Sequence, residues 1–412
     1  MNKTIPASKY CSSIFDGTHA TPLPSNTGFP LITSKNISGG YIDLSDTYLI
    51  STEDYHSINT RSKVSQWDVL FSMIGTVGEV YLEKNLNIEY AIKNIGVFSC
   101  ANESKAKWLF YYLKSPVAKT HINRYLNGAV QKFLSLGALR EFPILEYNEQ
   151  SAKSVELLSS IDAKIELNRR INAELEEMAK TLYDYWFVQF EFPNAKDEPY
   201  KTSGGKMECC PTLMREIPTN WKVDKIGNLF QTSLGGTPST SNKDYWENGT
   251  IKWLNSGEIA NFPIIDSELK ITESAIGNSA TQLLPKGSVV LSITRHLRPS
   301  VLAIDACANQ SVVGIREKGE FRYYYLYPYL KNEIPRLNAM RSGAQQPHIN
   351  KDIVDESYIV IPNESTNILK KYNEKVAPLY ELIMKNSFES KTLTELRDWL
   401  LPMLMNGQVK IS

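Results

Sequence analysis

The chain repeats itself, and a repeat constrains the possible folds more than any single motif does. Gly128-Ala129-Val130-Gln131 recurs as Gly343-Ala344-Gln345-Gln346 at an offset of 215. The same offset relates Ile144-Leu145 to Ile359-Val360 and Asn148-Glu149 to Asn363-Glu364. Upstream, Trp108–Lys114 lies over Tyr325–Lys331 at 217, Val69–Met73 over Val289–Ile293 at 220, and Ile32–Ile37 over Leu254–Ile259 at 222. Order is kept while the offset drifts by a few residues, so short insertions account for the difference. A chain of 412 residues built this way holds two copies of one unit, within the two to four domains its length allows.

Each copy begins with a strand-rich, turn-rich part of about 140 residues and ends in a long helical segment. In the first copy, Gln150 to Gln189 carries no Gly or Pro. Along it Leu158, Ile161, Ile165, Asn168, Asn172, Leu175, Ala179, Leu182 and Trp186 recur three and four apart, which is a coiled-coil seam with polar residues at its middle. An ordinary core helix is the plainer reading, but forty residues far exceed the usual three turns. In the second copy Ile368, Tyr372, Val376, Leu379, Ile383, Asn386, Leu393, Leu396 and Leu400 form a similar stripe. Pro378 is expected to kink or interrupt that helix, and Pro402 and Gly407 to mark its end. Two such helices in a duplicated chain pair antiparallel, with Asn168, Asn172 and Asn386 fixing register. The segments are therefore 1–149, a first globular domain; 150–192, a long helix; 193–214, a Pro- and Gly-punctuated linker; 215–362, a second globular domain; and 363–406, a second long helix.

Composition (42% hydrophobic, 22% charged) excludes a globally disordered chain. No run of 18 uncharged apolar residues occurs and the start lacks a basic, then apolar, leader, so membrane spans and secretion are not expected. Five Cys without a CxxC pair give no disulfide framework or zinc site and fit a reducing, cytoplasmic setting. The formal net charge is zero, 45 Lys+Arg against 45 Asp+Glu, yet the charge is segregated. Ser104–Arg140 contains seven basic residues and no acid, and Ser274–Ile304 contains Lys286, Arg295 and Arg298 and no acid. Glu141–Glu198 reverses the balance, thirteen acidic residues to six basic. A polyanion responds to a face rather than to a total, although runs of charge also occur on faces that are merely solvated.

Signatures of catalysis are missing. Gly235-Gly236-Thr237-Pro238 lacks the lysine of a phosphate loop and reads as a turn. There is no HExxH, GxSxG or His/Cys metal spacing, no acidic-Pro-Pro-aromatic tetrad and no Gly-rich methionine-cofactor loop. The residues favour a binding module. They leave open a self-contained DNA-modifying enzyme or nuclease, and an adaptor whose domains bind proteins.

Several segments together give the chain a resemblance to the specificity subunits of Type I restriction-modification systems over essentially its whole length. They are Asp16-Gly17-Thr18-His19 with Leu31–Ile37, Ile217-Pro218-Thr219-Asn220-Trp221 leading into Gly235–Pro238, Trp253–Ile259, and Ile161–Asn168 running to Tyr183–Phe187. The first copy departs in lacking the Ile-Pro…Trp lead-in found at Ile217–Trp221. The resemblance implies an α+β fold of two pseudo-symmetric target-recognition domains joined by two long antiparallel helices, a coiled-coil spacer. It also implies a bipartite site on double-stranded DNA, two methyltransferase subunits docked on the helices, and restriction subunits beside them. S-adenosylmethionine, ATP and Mg²⁺ would be bound by those partners and none by this chain, which would direct adenine methylation and cleavage without performing either. A helix of about 37 residues at ~1.5 Å each is roughly 55 Å long, which suits major grooves about one to one and a half turns apart. The acidic stretch suits protein partners. The aromatic and Leu residues of Tyr183–Phe187 and Trp399–Leu401 are read as core rather than as docking surface.

For base reading, polar loops at matched places are the candidates. Arg295, His296 and Arg298 follow a strand, and arginine pairs with guanine O6 and N7 or holds phosphate. Their counterpart is the loop Gly75-Thr76-Val77-Gly78, whose small residues allow close backbone approach. Gln131 and Lys132 match Gln345 and Gln346, with His348 and Asn350 nearby; Gln and Asn suit adenine. Thr33, Ser34 and Lys35 match Asn255, Ser256 and Gly257. A capped turn or plain surface loop is the alternative for every set.

Overall fold

Two apolar runs, Val69–Ser72 and Val289–Ser292, are buried at all four positions. A strand covered on both faces needs no alternation of polar and apolar residues. Each run is an inner strand of a four-stranded sheet. The computed structural model describes residues 3–44, 47–100, 102–126, 132–343 and 347–411. The chain divides into two compact units, Met1–Ile165 with Thr392–Ser412, and Glu166–Lys391.

In the first unit the antiparallel sheet has the spatial order Ser13–Asp16, Ile95–Ser99, Val69–Ser72, Val80–Leu82. A smaller sheet places Phe29–Ile32 between Leu49–Ile50 and Ala91–Ile92, pairing parallel with the latter. Helix Glu103–Lys114 follows, capped by Asn102 through the Lys105 amide, then Pro116–Tyr125, which opens with Pro where the missing N–H costs nothing. Phe71 and Phe98 meet edge-on at 6.1 Å inside the core.

The second unit has the same plan. Its sheet runs Thr232–Leu234, Val312–Ile315, Val289–Ser292, Arg298–Val301, and its smaller sheet sets Ile251–Leu254 between Leu269–Ile271 and Ala306–Ala308, again parallel with the latter. Helix Tyr323–Ala339 stands in the place of Glu103–Lys114. The repeat seen in sequence is thus a repeat of topology.

The two long helices are Glu149–Tyr183, 35 residues, and Ile368–Met405, 38 residues. Eight of the nine seam positions lie in the first, the ninth, Trp186, lies in the π-helical turn Asp184–Val188 that continues it, and none of them is exposed. Within the second unit the helices pair antiparallel. Asn168 Nδ2 donates to Glu389 Oε2 at 2.7 Å and to Ser390 Oγ at 3.2 Å, Asn172 Nδ2 donates to Ser387 Oγ at 3.1 Å, and Asn386 Nδ2 donates to Asn172 Oδ1 at 3.0 Å. Within the first unit Arg397 donates to Asp162 at 2.8 Å, in the same direction of pairing.

Three expectations for the second helix and its end need correction. Pro378 does not interrupt it. Pro378, Glu374 and Lys375 are all exposed, so the carbonyl freed by the missing N–H lies outside the dry helix interface. Pro402, in the last turn, and Gly407, which follows the end at φ 69° in the left-handed conformation usual there, do mark the end of the helix. Leu396 is exposed, because Arg397 takes the inward position through its bond to Asp162. Tyr183, Trp186 and Phe187 are core, packed around Tyr325 and Tyr372. Leu401 is core as well, whereas Trp399 is 63% exposed.

Candidate nucleic-acid interface

Strand register brings one set of loops together in each unit. In the second, Leu234 pairs with Val313, Ser292 with both Val312 and Arg298, and Leu254 with Ala308. The loops after Leu234, Leu254, Ala308 and Ser292 therefore leave one end of the two sheets. In the first unit Asp16 with Gly96, Ser72 with Ile95, and Ile32 with Ile92 gather the equivalent loops.

The tip between Val289–Ser292 and Arg298–Val301 carries Arg295, His296 and Arg298, all exposed, while Leu297 between them is buried as the anchor. Arg295 has φ 56°, a left-handed conformation that costs a residue with a Cβ. It is held there by its surroundings. The Arg295 amide donates to the Pro347 carbonyl at 3.1 Å, the Arg341 guanidinium donates to the carbonyls of Arg295 and, at 3.0 Å, of Pro347, and Thr294 bridges to His348. His348 in turn exchanges two backbone bonds with Ser342, at 2.9 and 3.0 Å. Arg295, His296 and His348 are thereby brought to one exposed place.

The first unit builds the same tip with different residues. Ile74 bridges to Phe133 as Thr294 does to His348, and the Leu134 amide donates to Met73 O at 2.9 Å as Ile349 does to Ile293 O at 3.0 Å. Gly75, at φ 80°, holds the position of Arg295. Here the hairpin holds itself, with Ser72 Oγ donating to the Thr76 carbonyl and accepting from the Glu79 amide. Thr76 is exposed at this tip, and Lys132 is exposed beside half-exposed Phe133. Gln131, Gln345 and Gln346 lie outside the described residues.

The second loop set is made of caps. The Thr33 amide and hydroxyl both donate to Asn36 Oδ1 at 2.9 Å, and Ser34 is buried, leaving Lys35 exposed. At the matched place the Asn255 amide donates to Glu258 Oε2 at 2.9 Å, and Asn255 Oδ1 accepts from the Gly257 amide at 2.8 Å, with Ser256 half-buried. Asn350 is likewise a cap, accepting from the Ile353 amide at 2.9 Å. These side chains shape the loops and spend acceptors on them.

Sequence reasoning passed over a third loop pair at this end. The Gly17 amide donates to Ile95 O at 2.9 Å, and the Gly235 amide to Val312 O at 2.9 Å. A Cβ at either glycine would overlap a main-chain carbonyl, of Ile92 or of Ala308 and Asn309. Beyond them His19 bonds Asn94 at 2.9 Å and Asp16 at 3.0 Å, and Thr237 donates to Gln310 at 2.5 Å. The signal was the pair Gly17-Thr18 and Gly235-Gly236, related by 218, an offset hidden because the chain between Thr237 and Leu254 is longer than that between His19 and Ile32.

Among the described residues no group of three or more His, Cys, Asp or Glu could hold a metal ion. The loop ends offer guanidinium, imidazole, hydroxyl and amide groups on rigid backbone, the equipment of recognition.

Two copies of one scaffold, each displaying its own side chains from one sheet end and each packed with paired helices, define a duplicated recognition protein. The chain belongs to the family of the type I restriction modification DNA specificity domain, whose model matches residues 21–177 and 218–378. Similar proteins include the type I restriction enzyme MjaIX specificity subunit of Methanocaldococcus jannaschii, 24% identical with 83% of this chain and 78% of the relative covered. The HindI specificity subunit of Haemophilus influenzae is 25% identical, with 63% and 67% covered. The crystal structure of a type I restriction-modification S subunit from M. genitalium shares the fold at TM-score 0.55 and 15% identity, covering 98% of this chain and 95% of that one. No helix among the described residues is long and apolar enough to cross a membrane.

Proposed function

We propose that each unit presents the loop end of its sheets to double-stranded DNA and reads one half of a bipartite site, segments 1–149 and 215–362 serving as the two target-recognition domains. The carrying observation is the tip. One backbone position in the left-handed conformation bears Gly75 in the first copy and Arg295 in the second. A common frame with unlike side chains suits two half-sites of unlike sequence, and the acid-free stretches that hold Arg295 at the second tip and Lys132 beside the first suit the phosphates between them.

Methylation and cleavage belong to partners. Two methyltransferase subunits and the restriction subunits complete the complex in the cytoplasm and hold S-adenosylmethionine, ATP and Mg²⁺, while this chain binds none of them. The acidic stretch Glu141–Glu198 offers a surface to protein rather than to DNA. Arg295, His296, Arg298 and His348 contact DNA in the second unit, and Gly75, Thr76 and Lys132 do so in the first. Lys35 and Ser256 contact DNA from the matched loops beside them, and Thr33, Ser34, Asn255 and Asn350 hold those loops and their neighbours in shape.

The test is a map of methylated adenines in cells expressing the chain with its methyltransferase, wild type against Arg295→Ala. One half of the motif becoming degenerate while the other stays fixed supports the reading. An unchanged motif overturns the assignment of Arg295.

A further inference from the structure

Arg341 spends Nη2 on backbone, while Nη1 donates to Asn338 Oδ1 at 3.4 Å. Nη2 donates to the carbonyls of Arg295 and Pro347, and the Pro347 carbonyl also accepts from the Arg295 amide. The three residues close a ring that ties the tip to the segment following the helix Tyr323–Ala339. Arg341 is half-buried, and its Nε is buried with no hydrogen-bond partner. A guanidinium so placed is poorly available to phosphate, and its two carbonyl bonds account for its position.

What the ring holds is an unfavourable backbone. Arg295 stands at φ 56° where the first copy uses a glycine at φ 80°. The first tip is held by the Ser72 hydroxyl within its own hairpin, whereas Ser292, the matched residue, reaches only the Thr294 carbonyl at 3.4 Å. The second unit thus gains a side chain at the tip and needs an outside clamp to keep it there.

We propose that Arg341 is the positioning residue for second-half-site recognition: it fixes the tip backbone so that the Arg295 side chain meets DNA in one orientation, without touching DNA itself. This rests on the reading of the tip as a DNA contact.

A double-mutant cycle tests it, using the full chain in complex with its methyltransferase. Arg295→Gly, Arg341→Gln, Arg341→Lys and the double variant Arg295→Gly/Arg341→Gln are titrated at one fixed salt concentration onto the mapped duplex and onto duplexes with either half scrambled. Each single variant is expected to weaken binding to the mapped duplex by about tenfold, the scale of one lost bidentate base contact. Arg341→Lys should behave as Arg341→Gln, since both carbonyls are reached from the terminal Nη2 nitrogen, which stands one bond farther from the backbone than a lysine ammonium. The double variant should bind no more weakly than Arg295→Gly, because glycine keeps the left-handed turn unaided and leaves nothing to position. Full affinity in Arg341→Gln, rescue by lysine, or a double variant weaker than Arg295→Gly by a further multiple would overturn the positioning role. If Arg295→Gly alone binds as wild type, the tip is no DNA contact, and that separate failure is read from the same titrations.

Discussion

The Asn168 side-chain amide of the first long helix lies 2.7 Å from Glu389 Oε2 of the second, and Asn168 is fully buried. Its Oδ1 has no hydrogen-bond partner. A polar residue at a seam position costs stability and fixes register, since a slipped pairing would strand the amide among apolar side chains. Asn168→Asp buries a carboxylate in the seam and sets it against Glu389, which is itself exposed. The variant should lose about 3 kcal/mol at pH 7. Its new carboxyl titrates above its unfolded value, so stability returns as the pH falls and the group takes up a proton. Urea unfolding at pH 7 and pH 5 checks both halves of the statement.

Asp266 supplies a pH dependence of the opposite sign. Burial works against its charge, but hydrogen bonds from Lys252, Lys391 and the Ser267 amide hold the carboxyl well below the ordinary range. The group therefore stabilises the unit above the unfolded carboxylate value and loses that contribution as the pH falls through the folded one. With a side chain one-third exposed, solvent screening limits the effect. Asp266→Asn should cost roughly 1 kcal/mol at pH 7, and the deficit should narrow as the pH falls below the unfolded carboxylate value toward the lower folded one. Thermal melts across that range decide it.

Leu291 is fully buried in the inner strand that ends at the Arg295 tip. Leu291→Ala should lower stability by about 2–5 kcal/mol, the span for a core leucine whose cavity only partly collapses. Denaturant unfolding measures it, and an effect under about 1 kcal/mol would contradict the buried-strand assignment.

Gly17→Ala and Gly235→Ala each drive a methyl into a main-chain carbonyl, which cannot give way as a side chain can. Both should destabilise by about 2 kcal/mol or more, and a melt matching wild type would refute the close approach.

Much of this was legible because it is written locally. Repeated segments and three-four periodicity announce the duplicated units and the long helices, and the buried run Val289–Ser292 can be read as a strand without its partners. The tip was partly legible: Arg295 and Arg298 stood out by charge, but the left-handed turn and the Arg341 clamp are contacts across 46 residues with no local trace. Pro378 misled for a related reason. Its cost depends on which way the helix faces, and that is set by the partner helix. Leu396 misled because Arg397, an apparent surface residue, is drawn inward by Asp162.

The most direct measurement is single-molecule sequencing of host DNA, with and without this gene beside its methyltransferase gene. A duplicated specificity subunit predicts that one bipartite adenine-methylated motif disappears on deletion and returns on complementation, its two halves unlike in sequence. A methylome unchanged by the gene, in cells producing both proteins, would contradict that role.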